Sequence, residues 1–341
     1  MKYTIDLESN IPLYKQVIQC VKEAIRNGQL KNGDALPSLS AFSSSTGISM
    51  ETAKKAYNLL KKEGLLSGRK GKGFFVDIRK KDEPLKILML LDKLSSYKLS
   101  IHKGLMEGLS SAADISIMIH NQDIRQFEKM VGDSMDDYDF YLIAAHFTHG
   151  TRTSRIARIL KRIPNDKLIL IDHDLPQVKG HIGRIYQDFH SDAPEALRSG
   201  IHLLQKYQSA VIISSSQSLY GEVICPGIKQ LFKSEGIRYK VEKQFDASLM
   251  KPGTLFIVLC GQLDTDHFTL LKEAAKKGFI LGKDIGLVTY NDEPVNEFIS
   301  GGLTCISSDF EKMGRHAAEM INTKCLYSVH NPFRLTIRSS L

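Results

Sequence analysis

Apolar side chains near the start of the chain fall at Leu13, Val17, Cys20, Val21, Ala24 and Ile25. That spacing keeps them on one face of a 3.6-residue period, so it predicts an amphipathic helix opened by Pro12 and closed by Gly28. Ser38 is a good N-cap for a short second helix through Ser45. Gly47-Ile48-Ser49 predicts a turn, with Ser49 capping a third helix to about Glu63. Ala53, Ala56, Tyr57 and Leu60 would form its buried face, and Glu51, Thr52, Lys54, Lys55 and Asn58 its other face. Two short strands, Leu65 to Ser67 and Phe74 to Val76, are predicted around Arg69-Lys70-Gly71-Lys72-Gly73, whose glycines permit a tight hairpin tip.

Three helices and a basic hairpin predict a winged helix-turn-helix over residues 1–77, with 78–84 as a charged, proline-ended linker. From 85 to 341 the period alternates. Strands are predicted at Lys86–Leu91, Ile115–His120, Tyr138–Ala145, Lys167–Ile171, Ser209–Ser214, Leu255–Cys260, Ile285–Tyr290 and Leu303–Ile306. Helices are predicted at Leu99–Ser111, Arg125–Asp133, Arg152–Lys161, Ala193–Tyr207, Ile224–Glu235, Asp266–Lys277 and Phe310–Ile321. Such alternation predicts an α/β body of parallel sheets covered on both faces. Periodicity alone leaves a barrel, one doubly wound sheet and two smaller doubly wound lobes open.

Charge separates the two parts. Up to Lys81 there are 15 Lys and Arg against 7 Asp and Glu, a net of +8, while the remainder balances at 31 against 31. Positive charge confined to one small domain points to a polyanion, since each neutralised phosphate releases condensed counterions. The five cysteines are scattered without a CxxC pair, and the histidines lack HExxH spacing, so neither a disulfide framework nor a metal is expected. No GxGxxG, Walker A or GxSxG occurs, so no cofactor and no catalytic role are expected. The start reads as no signal peptide and no apolar run is long enough to span a bilayer, so a cytoplasmic protein is expected.

The head resembles the GntR-type DNA-binding domain. The likeness rests on Pro12-Leu13-Tyr14-Lys15-Gln16, Leu36-Pro37-Ser38, Gly47-Ile48-Ser49 with Thr52, Glu63-Gly64-Leu65-Leu66, and Gly71-Lys72-Gly73-Phe74-Phe75-Val76. The resemblance implies phosphate contacts near Ser38, Ser49 and Thr52, base reading from the start of the third helix at Met50, and a wing contact at Gly73. Lys54, Lys55, Arg69, Lys70 and Lys72 join them as DNA-binding candidates. Leu39-Ser40 and Met50 depart from the family, which usually carries Glu-Arg and Arg there. Arg is the commonest reader of guanine, so the operator does not follow from family habit.

The body resembles the LacI-type, periplasmic-sugar-binding-like effector domain. The stretches that carry the likeness are Ile185-Tyr186-Gln187-Asp188, Pro226-Gly227-Ile228, Asp284 through Asp292, Leu303-Thr304 and Met313-Gly314-Arg315-His316-Ala317-Ala318. It implies two lobes, about 85–186 with 307–325, and about 187–306 with 326–341. Ligands of open α/β sheets bind beyond the carboxyl ends of strands. Those ends supply Asp92, Lys93, His146, Phe147, Asp172, Asp188, Asn291 and Asp292, with Tyr97, Phe147 or Tyr220 able to pack on a sugar ring. By resemblance, Asp172 and Asn291 fall where sugar hydroxyls are often bound. Ile224 replaces a common family Arg, which favours a neutral or deoxy monosaccharide over a sugar acid.

These expectations combine into a homodimeric repressor of carbohydrate-utilisation genes that binds operator DNA and is released by a small sugar. The alternative is a sugar- or nucleotide-metabolising α/β enzyme with a DNA-targeting head.

Overall fold

The computed structural model describes residues 5–6, 9, 11–69, 73–77, 84–148, 150–214, 221–259 and 265–341. The chain divides into two compact units, Met1–Glu83 and Pro84–Leu341.

The first unit holds helices α1 (Leu13–Arg26), α2 (Leu39–Thr46) and α3 (Met50–Lys62), then strands β1 (Leu66–Arg69) and β2 (Gly73–Val76) paired antiparallel. Ser38 Oγ accepts from Ala41 N–H and Ser49 Oγ from Thr52 N–H, so both predicted caps satisfy donors that the helix starts leave open. Gly47 ends α2 at φ +76°, a left-handed conformation that glycine takes without a Cβ clash. Val17, Val21, Phe42, Ala53, Tyr57, Leu60 and Val76 make the core. The segment before α2 adds a partner to the wing that the pattern does not announce. Leu36 N–H donates to Phe74 O, and Gly33 N–H to Val76 O. This is a winged helix-turn-helix.

The second unit is a pair of α/β lobes. Its elements run β3 (Leu85–Leu91), α4 (Ser96–Gly108), β4 (Ala113–Ile119), α5 (Ile124–Asp133), β5 (Phe140–Ile143), α6 (Thr153–Leu160), β6 (Leu168–His173) and β7 (Gly183–Gln187). Then come α7 (Asp192–Ser199), α8 (Ile201–Leu204), β8 (Ser209–Ile213), α9 (Gly221–Ser234), β9 (Tyr239–Glu242), β10 (Thr254–Val258), α10 (Thr265–Lys277) and β11 (Ile285–Tyr290). The chain ends with β12 (Thr304–Ser308), α11 (Phe310–Thr323), β13 (Ser328–His330) and β14 (Phe333–Thr336).

One sheet has the order β4-β3-β5-β6-β7-β13, all parallel; the other runs β9-β8-β10-β11-β12-β14, parallel except for β14. Central strands are apolar on both faces, as helices on both sides require. In β3, Ile87, Met89 and Leu91 join one core while Leu88 and Leu90 join the other. Helices α4 and α11 cross closely at glycines: a Cβ on Gly104 would lie 2.0 Å from Glu311 O, and one on Gly314 2.1 Å from Ile101 O. Helix α4 follows the carboxyl end of β3, and its Lys98 reaches Asp92 there.

Three expectations are corrected. The resemblance puts the return to the second lobe at about 326, but β13 pairs with β7 in the first sheet and the chain crosses at 331–332. A three-residue strand is too short to carry a period. The helix expected over Ala193–Tyr207 is broken at Gly200, where a Cβ would meet Leu335 Cδ2 at 2.4 Å. Strand β9 was not anticipated, because an edge strand reading Tyr-Lys-Val-Glu carries little apolar pattern. Among the described residues no helix is long and apolar enough to cross a membrane.

Candidate functional site

The exposed face of the head is built by the two caps and by α3. Ser38, Ser49, Met50, Lys54 and Lys55 are exposed and Thr52 is half-buried. Ser49 Oγ and Thr52 Oγ1 lie 2.8 Å apart at the start of α3, where the free N–H groups favour an anion. Lys54 Nζ is 3.7 Å from Glu51, a loose surface pair, whereas Lys55 Nζ sits 4.1 Å above the Tyr14 ring. Gly73 is exposed at φ +96°, with no heavy atom within 4 Å of where a Cβ would stand. Lys70 and Lys72 lie outside the described residues, as does the side chain of Arg69.

In the body, adjacent strand ends converge on one buried side chain outside the expected set. Lys98, in the first turn of α4, is fully buried. Its Nζ lies 2.5 Å from Asp172 Oδ2 and 3.2 Å from Asp92 Oδ1. His146 Nε2 is 3.1 Å from Asp172 Oδ2, and Gln187 Nε2 donates to Asp172 Oδ1. These residues come from the ends of β3, β5, β6 and β7, neighbours in the sheet. Asp172 adopts φ +74°, a left-handed conformation uncommon outside glycine.

The electrostatics follow from burial and pairing. Burial opposes ionisation of both partners, but the Asp172 charge holds Lys98 well above its ordinary value. Burial likewise works to raise Asp172, yet the Lys98 charge and the hydrogen bonds from His146 and Lys98 hold it far below the usual carboxylate range. His173, beside His146 and Phe189, is pushed down to about 4 by burial and by the His146 charge. Tyr290, from the second lobe, is pushed well up by burial and then by Asp172, Tyr97 and Asp192. The end of β11 thus lies within electrostatic reach of Asp172 at the end of β6. Ser96 Oγ also donates to Glu293 Oε1 at 2.8 Å, from first lobe to second.

Three acceptors in this cluster have no hydrogen-bond partner, Gln187 Oε1 and both Asp92 oxygens, of which Oδ1 keeps the ion pair with Lys98 while Oδ2 has none; Ser95 Oγ nearby is also without one. Asp92 is 0% exposed and Gln187 5%. Buried polar atoms are normally satisfied, so these acceptors suit a group that donates hydrogen bonds.

Of the expected effector residues, Asp92, Tyr97, His146 and Asp172 surround Lys98, with Lys93 half-buried beside Asp92. Asn291 is buried at φ +69° at the end of β11. Others go elsewhere. Phe147 stacks on His120 and meets Phe127 edge to face in the first-lobe core. Asp188 accepts from His190 N–H and Ser191 N–H, a turn leading into α7. Asp292 accepts from Nη1 and Nη2 of Arg338. Tyr220 lies outside the described residues. Lys98 and Gln187 were missed, although Lys98 falls three residues before Ile101 and seven before Leu105, on the buried face of α4.

A winged helix-turn-helix joined to a two-lobed α/β body with a polar cluster at its strand ends defines a DNA-binding transcriptional regulator. Residues 13–76 match the profile of bacterial regulatory proteins of the gntR family, and the chain belongs to that family. It is 31% identical over 100 residues to the HTH-type transcriptional repressor YtrA of Bacillus subtilis (strain 168), covering 29% of this chain and 77% of that one. Identity to NagR of the same strain, also an HTH-type transcriptional repressor, is 38% over 81 residues, 24% of this chain and 33% of NagR. The chain thus spans about a third of NagR's length. The fold is similar to that of the trehalose repressor from Escherichia coli, with a TM-score of 0.60 and 12% identity over 74% of this chain and 100% of that one. It is also similar to a LacI family transcriptional regulator from Lactobacillus casei with bound sucrose, TM-score 0.58 and 12% identity over 75% and 99%.

Proposed function

We propose that this chain is a cytoplasmic, homodimeric repressor of carbohydrate-utilisation genes, released from operator DNA by a small sugar. The head binds the duplex through the start of α3, the caps at Ser38 and Ser49, and the basic wing. The body takes the sugar between its lobes. Coupling requires only that sugar affinity differ between the DNA-competent and DNA-incompetent states.

The observation that carries the effector half is the pair of unfilled buried acceptors at Asp92 and Gln187, set at the strand ends where open α/β sheets hold ligands. A sugar is a compact array of hydroxyl donors and suits them. Likeness in fold to the trehalose repressor and to a regulator with bound sucrose supports the same reading.

The test selects an operator from random duplexes with the full-length protein, then measures its binding by anisotropy with and without monosaccharides. Release by at least one sugar, with that sugar recovered unchanged, is expected. Operator binding indifferent to every sugar would remove the effector half, and turnover of the sugar would favour an enzyme.

A further inference from the structure

The cluster around Lys98 also bears on the charge of what it accepts, an inference that rests on the effector reading above. Its buried charges are two carboxylates, Asp92 and Asp172, against one ammonium, with Lys93 half-buried next to Asp92 in the chain. Lys98 Nζ is engaged by both. His146, the imidazole on the pair, has its Nε2 on Asp172. These three buried charges sum to one net negative charge, and the one cation among them is paired on both sides.

The groups left open point the same way. Asp92 Oδ2 and Gln187 Oε1 are both acceptors, and both are buried. They share one site, since Asp92 and Gln187 are joined through Lys98 and Asp172. A hydroxyl donates to such atoms. A phosphate or carboxylate brings only acceptors and a negative charge that low-dielectric surroundings would set against Asp92. His173, held neutral by burial, supplies no compensating charge at pH 7.

We infer that Asp92 and Gln187 are specificity-determining residues that admit unphosphorylated, uncharged sugars and reject sugar phosphates and uronic acids. Discrimination of this kind rests on an unfavourable contact with the wrong ligand as much as on a favourable one with the right ligand. Asp172, with both oxygens occupied, is a positioning residue for the two.

The experiment uses the full-length protein and reads thermal shift and isothermal titration. The probes are D-glucose, D-galactose, D-xylose and L-rhamnose beside glucose 6-phosphate, galactose 1-phosphate and galacturonate. A neutral sugar should bind at least about tenfold more tightly than its charged counterpart. In Asp92→Asn that ratio should shrink by about tenfold, while Gln187→Glu should widen it. The wild-type comparison stands even where a variant folds poorly. A phosphate or uronate that binds as tightly as its neutral parent overturns the inference and leaves the repressor reading intact. An unchanged ratio in well-folded Asp92→Asn overturns Asp92 as its determinant. If no sugar of either class binds, the inference and the effector reading fall together.

Discussion

Lys98 Nζ and Asp172 Oδ2 sit 2.5 Å apart, on side chains that are 0% and 1% exposed, and Asp92 closes the other side of the ammonium. Breaking such a pair from one side leaves an uncompensated buried charge, which costs about 3–5 kcal/mol. Lys98→Met should destabilise the body by that amount, with two carboxylates left facing each other. Adding Asp172→Asn should recover part of the loss, because one of those charges is then gone. Urea unfolding of the single and double variants checks the order. A Lys98→Met protein as stable as wild type would mean that the cluster is already solvated.

Acid should weaken the body through His173. Its folded pKa of about 4 lies below the ordinary 6.5, so the unfolded chain binds the proton first as pH falls. Stability is then fully present above about pH 6.5 and declines as pH drops toward 4. His120, also lowered chiefly by burial, acts in the same direction. Asp172, depressed when folded, adds a loss at more acid pH, as the unfolded carboxylate takes up its proton. Urea midpoints between pH 7 and 4 should fall, and the fall should be shallower in His173→Gln.

What could be read from the sequence depended on how much local pattern each feature carries. Helix caps at Ser38 and Ser49, and buried runs such as Ile285–Tyr290, have strong local signatures and came out within a residue or two. Strands β13 and β14 are short and defined by their partners, so nothing local marks them. The polar cluster divides similarly. Asp92, His146 and Asp172 were accessible because strand ends are where such sheets place ligands. Lys98 was not, because a lysine in a helix is ordinarily a solvated residue, and its burial is decided by carboxylates 74 and 6 residues away.

The crossing of α4 and α11 gives a sharper test of packing. Gly104→Ala would press a methyl group onto the Glu311 carbonyl at 2.0 Å, backbone that cannot turn aside. Overpacking of this kind costs about 1–3 kcal/mol or more, against a gain of under about 1 kcal/mol in helix propensity. Net destabilisation of the body is expected, measured as a lower unfolding midpoint. Gly236→Ala should cost less: that position has φ +68° but no heavy atom within 4 Å of a Cβ.

On the head, neighbouring lysines of α3 should behave differently. Lys54 is exposed and only loosely paired with Glu51, so it is available to a phosphate. Lys54→Ala should weaken operator binding and lower the slope of log K against log salt by about one. Lys55 is also exposed, but its ammonium lies 4.1 Å over Tyr14, which links α3 to α1. An exposed cation–π contact is worth about 0.5–1 kcal/mol, so Lys55→Ala should cost head stability as well as affinity. Tyr14→Leu separates the two contributions. It should reproduce the stability loss of Lys55→Ala while keeping the wild-type salt slope, since the charge remains. An unchanged slope in Lys54→Ala would show that this face of α3 makes no phosphate contact there, and the DNA-facing surface would have to be sought elsewhere on the head.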